Sequence, residues 1–236
     1  MNRKDLLQQL IDNSGYRKYL EIGVFNGKTF LPLKCRKKIA VDPLFRISNQ
    51  LKRKWNFSNL YNLRNDYYEV TSDYFFNSGL ADKTGPFDLI FIDGLHTFEA
   101  SLKDALNSMA HLKPGGTIVF HDCFPPHKAA STPAHSFENA IEMEIENWTG
   151  EWCGDVWKTI YYLKQVYTNK IQLFVVNSDY GLGVLKIKSK YELNLKLDQK
   201  VYQDINKLTF EFLNSNPEKI INLKKIEVIN DFFEVK

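Results

Sequence analysis

The chain reads as an α/β protein built on a doubly wound, mostly parallel sheet that ends in an antiparallel hairpin. Three observations predict this. Pro86 to Asp122 runs strand, helix, strand. Its short apolar runs, Leu89-Ile90-Phe91-Ile92 and Thr117-Ile118-Val119-Phe120, are continuous rather than alternating, as in strands covered on both faces. Two later apolar runs, Ile171 to Val176 and Gly183 to Ile187, are separated only by Asn177-Ser178-Asp179-Tyr180-Gly181, a hairpin signal.

Within the central unit, Leu102, Ala105, Leu106, Met109 and Leu112 recur at helical spacing, and Lys113-Pro114-Gly115-Gly116 stops the helix. A βαβ unit makes its two strands parallel neighbours with a right-handed crossover. Both strands end in polar residues, Asp93 and His96 after the first, His121 and Asp122 after the second. Ligands of open parallel sheets sit just beyond the carboxyl ends of the strands. One segment therefore brings two carboxylates and two imidazoles to a single mouth.

The other elements follow in order. Asp5 to Asp12 carries Leu6, Leu7, Leu10 and Ile11 at helical spacing. Tyr19 to Val24 is a strand, and Phe25 to Thr29 is a tight turn into a helix, with Gly23 and Gly27 permitting a close backbone approach. Lys37 to Val41 is the next strand, closed by Asp42-Pro43. Tyr67 to Val70 is a third, and Thr71-Ser72-Asp73 opens a helix as an N-cap. Residues 123–153 hold three prolines and two histidines and break the alternation; they read as a long loop over the site with a helix near Phe137 to Trp148. Val156 to Val166 and Gln199 to Leu213 read as further helices.

Composition narrows the class. A net charge of +3 over 236 residues gives no argument for nucleic acid or an anionic membrane as partner. Arg36-Lys37-Lys38 and Lys52-Arg53-Lys54 accordingly read as solvated faces. Three cysteines without CxxC spacing indicate neither a disulfide framework nor a cysteine zinc site. No apolar run approaches a membrane span, and MNRKDLLQQL lacks the apolar core of a signal peptide, so the expected setting is cytoplasmic.

The opening turn admits several nucleotide chemistries. Gly23-x-x-x-Gly27-Lys28-Thr29 is one residue short of a P-loop, and GxGxxG is absent. What remains is an acid in the first strand, a glycine turn, and a second acid, Asp42, ending the next strand, where it can accept hydrogen bonds from ribose hydroxyls. Glu21 suits a cationic ligand head better than a pyrophosphate. A nicotinamide-dependent oxidoreductase and a non-catalytic binding module stand as alternatives; the missing GxGxxG speaks against the first, the set Asp93, His96 and Asp122 against the second.

Taken together, Y-L-E-I-G-V-F-N-G, V-D-P, F-D-L-I-F-I-D-G-L-H-T-F-E, L-K-P-G-G and I-V-F-H-D resemble the motif blocks of class I S-adenosylmethionine-dependent methyltransferases. The last three blocks look like those of the small-molecule O-methyltransferases that include macrocin and mycinamicin sugar methyltransferases. The resemblance spans about residues 15 to 190 and implies a Rossmann-like, seven-stranded sheet. The resemblance does not cover the lid or the tail; the chain as a whole reads as a methyltransferase domain over 1–190 with a lid insertion at about 123–153, and a C-terminal helical extension over 191–236. By the same resemblance, Glu21, Gly23, Asn26 and Gly27 hold the methionine part of the cofactor, Asp42 the ribose, and Thr71 and Ser72 the adenine edge, with Asp93 beside them. Metal-dependent members place a cation on the positions of Asp93, His121 and Asp122. A histidine at position 121 departs from their usual carboxylate, and favours manganese, iron or zinc over magnesium, or no metal. His96 matches the base of some sugar methyltransferases, with Asp93 as its catalytic neighbour. The implied acceptor is a hydroxyl of a sugar or glycan precursor, with a phenolic metabolite as the alternative. The apolar C-terminal helix suggests a homodimer.

Overall fold

Among the described residues, eight strands form a single sheet in the order β3-β2-β1-β4-β5-β7-β6-β8. They are β1 (Lys18–Ile22), β2 (Lys37–Asp42), β3 (Asp66–Glu69), β4 (Phe87–Ile92), β5 (Leu112–Phe120), β6 (Ile171–Val176), β7 (Leu182–Ile187) and β8 (Leu223–Lys224). The computed structural model describes residues 1–188, 193–229 and 232. The first five strands pair in parallel, β7 lies antiparallel between β5 and β6, and β8 runs parallel to β6. The sheet thus has one strand more than the seven expected. The extra strand comes from the C-terminal extension, whose Ile220, Ile221 and Leu223 join the core. The expected domain boundary near residue 190 lies outside the described residues.

Alternation along the strands divides the core between two faces, as the pleat requires. Leu20, Ile22, Ile39, Val41, Ile90 and Ile92 face one way, beneath α3 (Ser72–Asn77), α5 (Phe98–His111) and α7 (Trp157–Val166). Tyr19, Ala40, Leu89, Phe91 and Val119 face the other way, where α1 (Arg3–Ser14) supplies Leu6, Leu7, Leu10 and Ile11. Asn2 caps α1 in a reciprocal capping box with Asp5, and Gly15 ends it in the left-handed region.

The structure differs from the sequence expectations in three places, and the first two have identifiable causes. Among the described residues no helix follows β1. The carbonyls of Phe30, Leu31 and Leu33 instead accept from the buried Lys38 ammonium, and those of Leu31, Pro32 and Leu33 from the Asn59 side chain. These long-range donors take the oxygens an intrahelical ladder would use. Strand β5 begins at Leu112 and runs through Lys113-Pro114-Gly115-Gly116; its register against β4 slips between Phe87 and Leu89, which accommodates the proline. The helix expected over Phe137 to Trp148 stops after Glu142 as α6 (Phe137–Glu142), and that over Gln199 to Leu213 divides into α8 (Gln199–Asn206) and α9 (Phe210–Ser215).

Candidate active site

Backbone hydrogen bonds carry the parallel ladder past the strand ends. Gly23 N donates to Val41 O (2.9 Å), Asp93 N to Ile22 O (2.9 Å) and His121 N to Ile92 O (3.0 Å). The first residues beyond β1, β4 and β5 are therefore held in line at one rim. At Gly23, φ is +83° and a Cβ would lie 1.9 Å from the Asp93 carbonyl oxygen, so this position demands glycine. Gly27 is also left-handed (φ +75°), and a Cβ there would lie 2.9 Å from the Leu31 side chain and 3.0 Å from that of Ile47. Asp42 accepts from Phe25 N (2.7 Å) and Leu44 N (2.8 Å), tying the turn after β1 to the end of β2. The Asn26 side chain accepts from Lys28 N. Thr71 caps α3 through Tyr74 N, and Ser72 lies against the buried Asp104 carboxyl of α5.

Glu21 sits beneath the turn rather than on it. It is 1% exposed, accepts from the Tyr19 hydroxyl, and burial pushes its pKa up to about 8. Asp104 is also buried; burial pushes its carboxyl up to about 7, and its Oδ1 lacks a partner.

Four ionisable side chains meet at the ends of β4 and β5. His96 Nε2 lies 3.2 Å from Asp122 Oδ2 and 3.6 Å from Asp93 Oδ1. His121 Nδ1 lies 2.7 Å from the same Asp122 oxygen and 3.2 Å from the same Asp93 oxygen. Two imidazoles thus bridge two carboxylates. A left-handed Asp122 (φ +58°) turns its carboxylate back toward both rings. His96 Nδ1 is 2.8 Å from the Trp152 carbonyl, which can only accept, so this nitrogen carries a proton and Nε2 is the working nitrogen. Burial alone would lower the pKa of each histidine. The two carboxylates outweigh it and raise both, while Asp93 is held well below its usual range despite its own burial.

Sequence reasoning missed two participants. Arg3, in the first turn of α1, donates from Nη1 to Asp93 Oδ2 (2.9 Å). It also grips Asp179 through its backbone N (2.7 Å), Nε (3.1 Å) and Nη2 (3.2 Å). Asp179 belongs to the hairpin turn 177–181, where Asp179, Tyr180 and Gly181 are all left-handed. Burial would push its carboxyl up, but hydrogen bonds from His121 and Arg3 hold it lowered. No local sequence pattern links Arg3 to Asp179, since 176 residues separate them. Trp152, in the loop 123–153, also joins the cluster; its ring lies 4.8 Å from that of His96, centroid to centroid.

Among the described residues, atoms of Asp93, His96 and Asp122 able to ligate one cation converge within 4.8 Å. His121 completes the expected trio in sequence. In space it is bonded to the two carboxylates through Nδ1, and its buried Nε2 stands 3.5 Å from Asp179 Oδ1. The remaining histidines lie apart from this cluster. His111 bonds Asn107 O and Asp82, and His127 bonds Thr149 and Ala130 N.

The end of the lid is fastened to the segment that carries His96. Asp155 accepts from Phe98 N (2.6 Å), Asp155 N donates to His96 O (3.2 Å), and a Cβ on Gly154 would lie 1.7 Å from that oxygen.

Residues 20–123, which span the glycine turn, Asp42, Asp93, His96, His121 and Asp122, match the family model described as Methyltransferase domain. Residues 20–123 form a methyltransferase domain. Solved structures share its fold. The O-methyltransferase TomG from Streptomyces achromogenes, in complex with S-adenosylmethionine, is 11% identical over 79% of this chain and 80% of its own, with a TM-score of 0.55. An O-methyltransferase from Bacillus cereus bound to S-adenosylhomocysteine is 16% identical over 78% and 80%, with a TM-score of 0.53. The Podospora anserina methyltransferase PaMTH1, also bound to S-adenosylhomocysteine, is 18% identical over 79% and 78%, with a TM-score of 0.53. Among the described residues, no helix is long and apolar enough to cross a membrane.

Proposed function

We propose that this methyltransferase methylates a hydroxyl group of a small molecule, a sugar or glycan precursor, and that His96 accepts the hydroxyl proton. The observation that carries the reading is the position of His96 Nε2. It is aimed at Asp93 and Asp122, with the tautomer set by Trp152 O, on the strand end whose backbone touches the cofactor turn at Gly23. Bound S-adenosylmethionine supplies an activated methyl group on a sulfonium. The residues present fit it: Gly23 and Gly27 leave the turn open to close approach, Asn26 lies between them, and Asp42 ends the neighbouring strand. Thr71 and Ser72 would border the adenine, Asp93 would meet the methionine ammonium, and Glu21 supports the turn from below.

The remaining chemistry belongs to the chain. A sugar hydroxyl is a poor nucleophile near neutrality, so aligning it and removing its proton are the two tasks. The proton passes to His96 Nε2, the nitrogen that Asp93 and Asp122 face, and their charges stabilise the imidazolium; the nitrogen that the acid of a triad would bond, Nδ1, is held instead by the Trp152 carbonyl. Trp152, a lid residue whose ring is tilted 33° against that of His96, offers a flat face against which a sugar ring can pack.

A divalent ion fits the same cluster. Asp93, His96 and Asp122 would hold it, and it would lower the pKa of the acceptor hydroxyl. Two oxygens and one nitrogen suit manganese, iron or zinc better than magnesium. His96 would then be a ligand and could not also be the base, and Arg3 already places a positive charge on Asp93. The metal-free assignment is therefore the one we adopt. Calorimetry with S-adenosylhomocysteine and with NAD, followed by a methyl-transfer screen over nucleotide sugars and phenols before and after chelation, tests the reading. Binding of NAD alone removes the cofactor assignment. Turnover of phenols only removes the acceptor, and turnover abolished by chelator and restored by added divalent ion removes the metal-free route.

A further inference from the structure

The overall charge of +3 conceals a strong asymmetry. Residues 28–65 contain ten Lys and Arg against one acid, Asp42, so the rest of the chain is net negative. The structure gathers much of this charge on one face. Within α2 (Asn49–Ser58), Arg53 and Lys54 lie four and three residues before Phe57 and so share its side of the helix. A 3-10 turn follows, Leu60–Arg64, in which residues three apart eclipse one another, which puts Leu60 and Leu63 on one line.

The burial of this segment is inverted. Asn59 and Asn62, 5% and 4% exposed, point inward and bond the carbonyls of residues 31–33 and Trp55. The apolar side chains point out: Phe57 is 87% exposed, Leu60 70% and Leu63 65%. The inward polar contacts fix this orientation, so the apolar ridge is a consequence of the fold and not of a frayed helix. The strap that Asn59 and Asn62 hold continues into Lys34 and Arg36, and Lys37 Nζ donates to the Arg64 carbonyl. Lys34, Arg36, Arg53, Lys54 and Arg64 are all exposed, and among the described residues none has an ion-pair partner.

We propose that this face docks on an anionic lipid surface. A ridge of one phenylalanine and two leucines flanked by cations matches the headgroup boundary, where apolar side chains enter and basic ones meet lipid phosphate and carboxylate. Nucleic acid would use the cations but has no use for exposed leucines, which cannot stack on bases. A second copy on a two-fold axis would press two cationic faces together. The reading of the two basic clusters as solvated faces, and the expectation of no membrane partner, rested on the overall charge; the local distribution is what favours lipid.

Flotation of the full chain with vesicles tests the assignment. Phosphatidylcholine vesicles containing phosphatidylserine should bind it at least about 10-fold more strongly than phosphatidylcholine alone, and added salt should weaken the binding. Phe57→Ser/Leu60→Ser/Leu63→Ser should reduce binding by about 10-fold or more, and Arg53→Glu/Lys54→Glu should remove the preference for anionic lipid. Unchanged melting and unchanged S-adenosylhomocysteine affinity would show that the variants remain folded. Equal binding to neutral and anionic vesicles, or no binding to either, overturns the proposal. So does retention of an RNA oligonucleotide in place of vesicles, or a dimer in light scattering that the triple variant dissolves.

Discussion

The two halves of the rim are built by different means. The cofactor half, at the ends of β1 and β2, is shaped by backbone: a glycine in contact with the Asp93 carbonyl, a second left-handed glycine, and an aspartate bonded to two main-chain N–H groups. The acceptor half, at the ends of β4 and β5, is shaped by charge, with two imidazoles and a guanidinium held among three carboxylates. Steric change should therefore break the first half and charge change the second. A backbone cradle serves a ligand that is the same in every turnover, whereas ionisable groups serve the step in which a proton moves.

The largest effect is expected from Gly23→Ala. Its methyl group would overlap the Asp93 carbonyl and force the two strand ends apart, so S-adenosylhomocysteine binding should fall by about 100-fold or more and the melting temperature should drop. Calorimetry showing wild-type affinity would refute the backbone account of this half.

Next is His96→Ala, which should lower turnover by roughly 100-fold or more while S-adenosylhomocysteine affinity stays close to wild type. A fully active variant would remove the base, and a matching loss of cofactor affinity would erase the division between the halves.

Arg3→Ala should act more mildly and in the opposite sense for cations. Removing a positive charge 2.9 Å from Asp93 should raise manganese affinity by about 10-fold, read by calorimetry on the purified protein. Asp179→Asn, which loosens Arg3 without deleting it, should move affinity in the same direction by less. If neither variant alters manganese binding, Arg3 does not compete for this carboxylate.

The smallest effect on chemistry is expected from Asp104→Asn, beneath the cofactor half. The folded-state pKa of Asp104 is raised to about 7, above an unfolded value of about 4. Between these values the unfolded chain is ionised and the folded one protonated, so wild-type stability should fall as pH rises from about 4 through 7. The asparagine variant should lose this component of the slope and melt higher than wild type at pH 7.5. Identical pH profiles in thermal melts would show that the carboxyl finds a partner in the folded protein.

The sequence by itself determined the parallel core and the residues at its strand ends. Continuous apolar runs mark doubly covered strands, and a strand's last residue is local information, so Gly23, Asp42, Asp93, His121 and Asp122 were legible along with His96 three residues past a strand end. The tertiary structure alone decided which partners these groups have. Arg3 and Asp179 meet across 176 residues, and Trp152 reaches His96 across 56, distances over which no periodicity carries information. The same limit explains the missing helix after β1, where Lys38 and Asn59 capture carbonyls from a distance. It also explains the outward ridge at Phe57, Leu60 and Leu63, because the asparagines that turn it outward are anchored to carbonyls some 26 to 31 residues earlier. Apolar periodicity records which face is buried only when burial follows hydrophobicity. Where buried hydrogen bonds decide the orientation, only the folded chain reveals it.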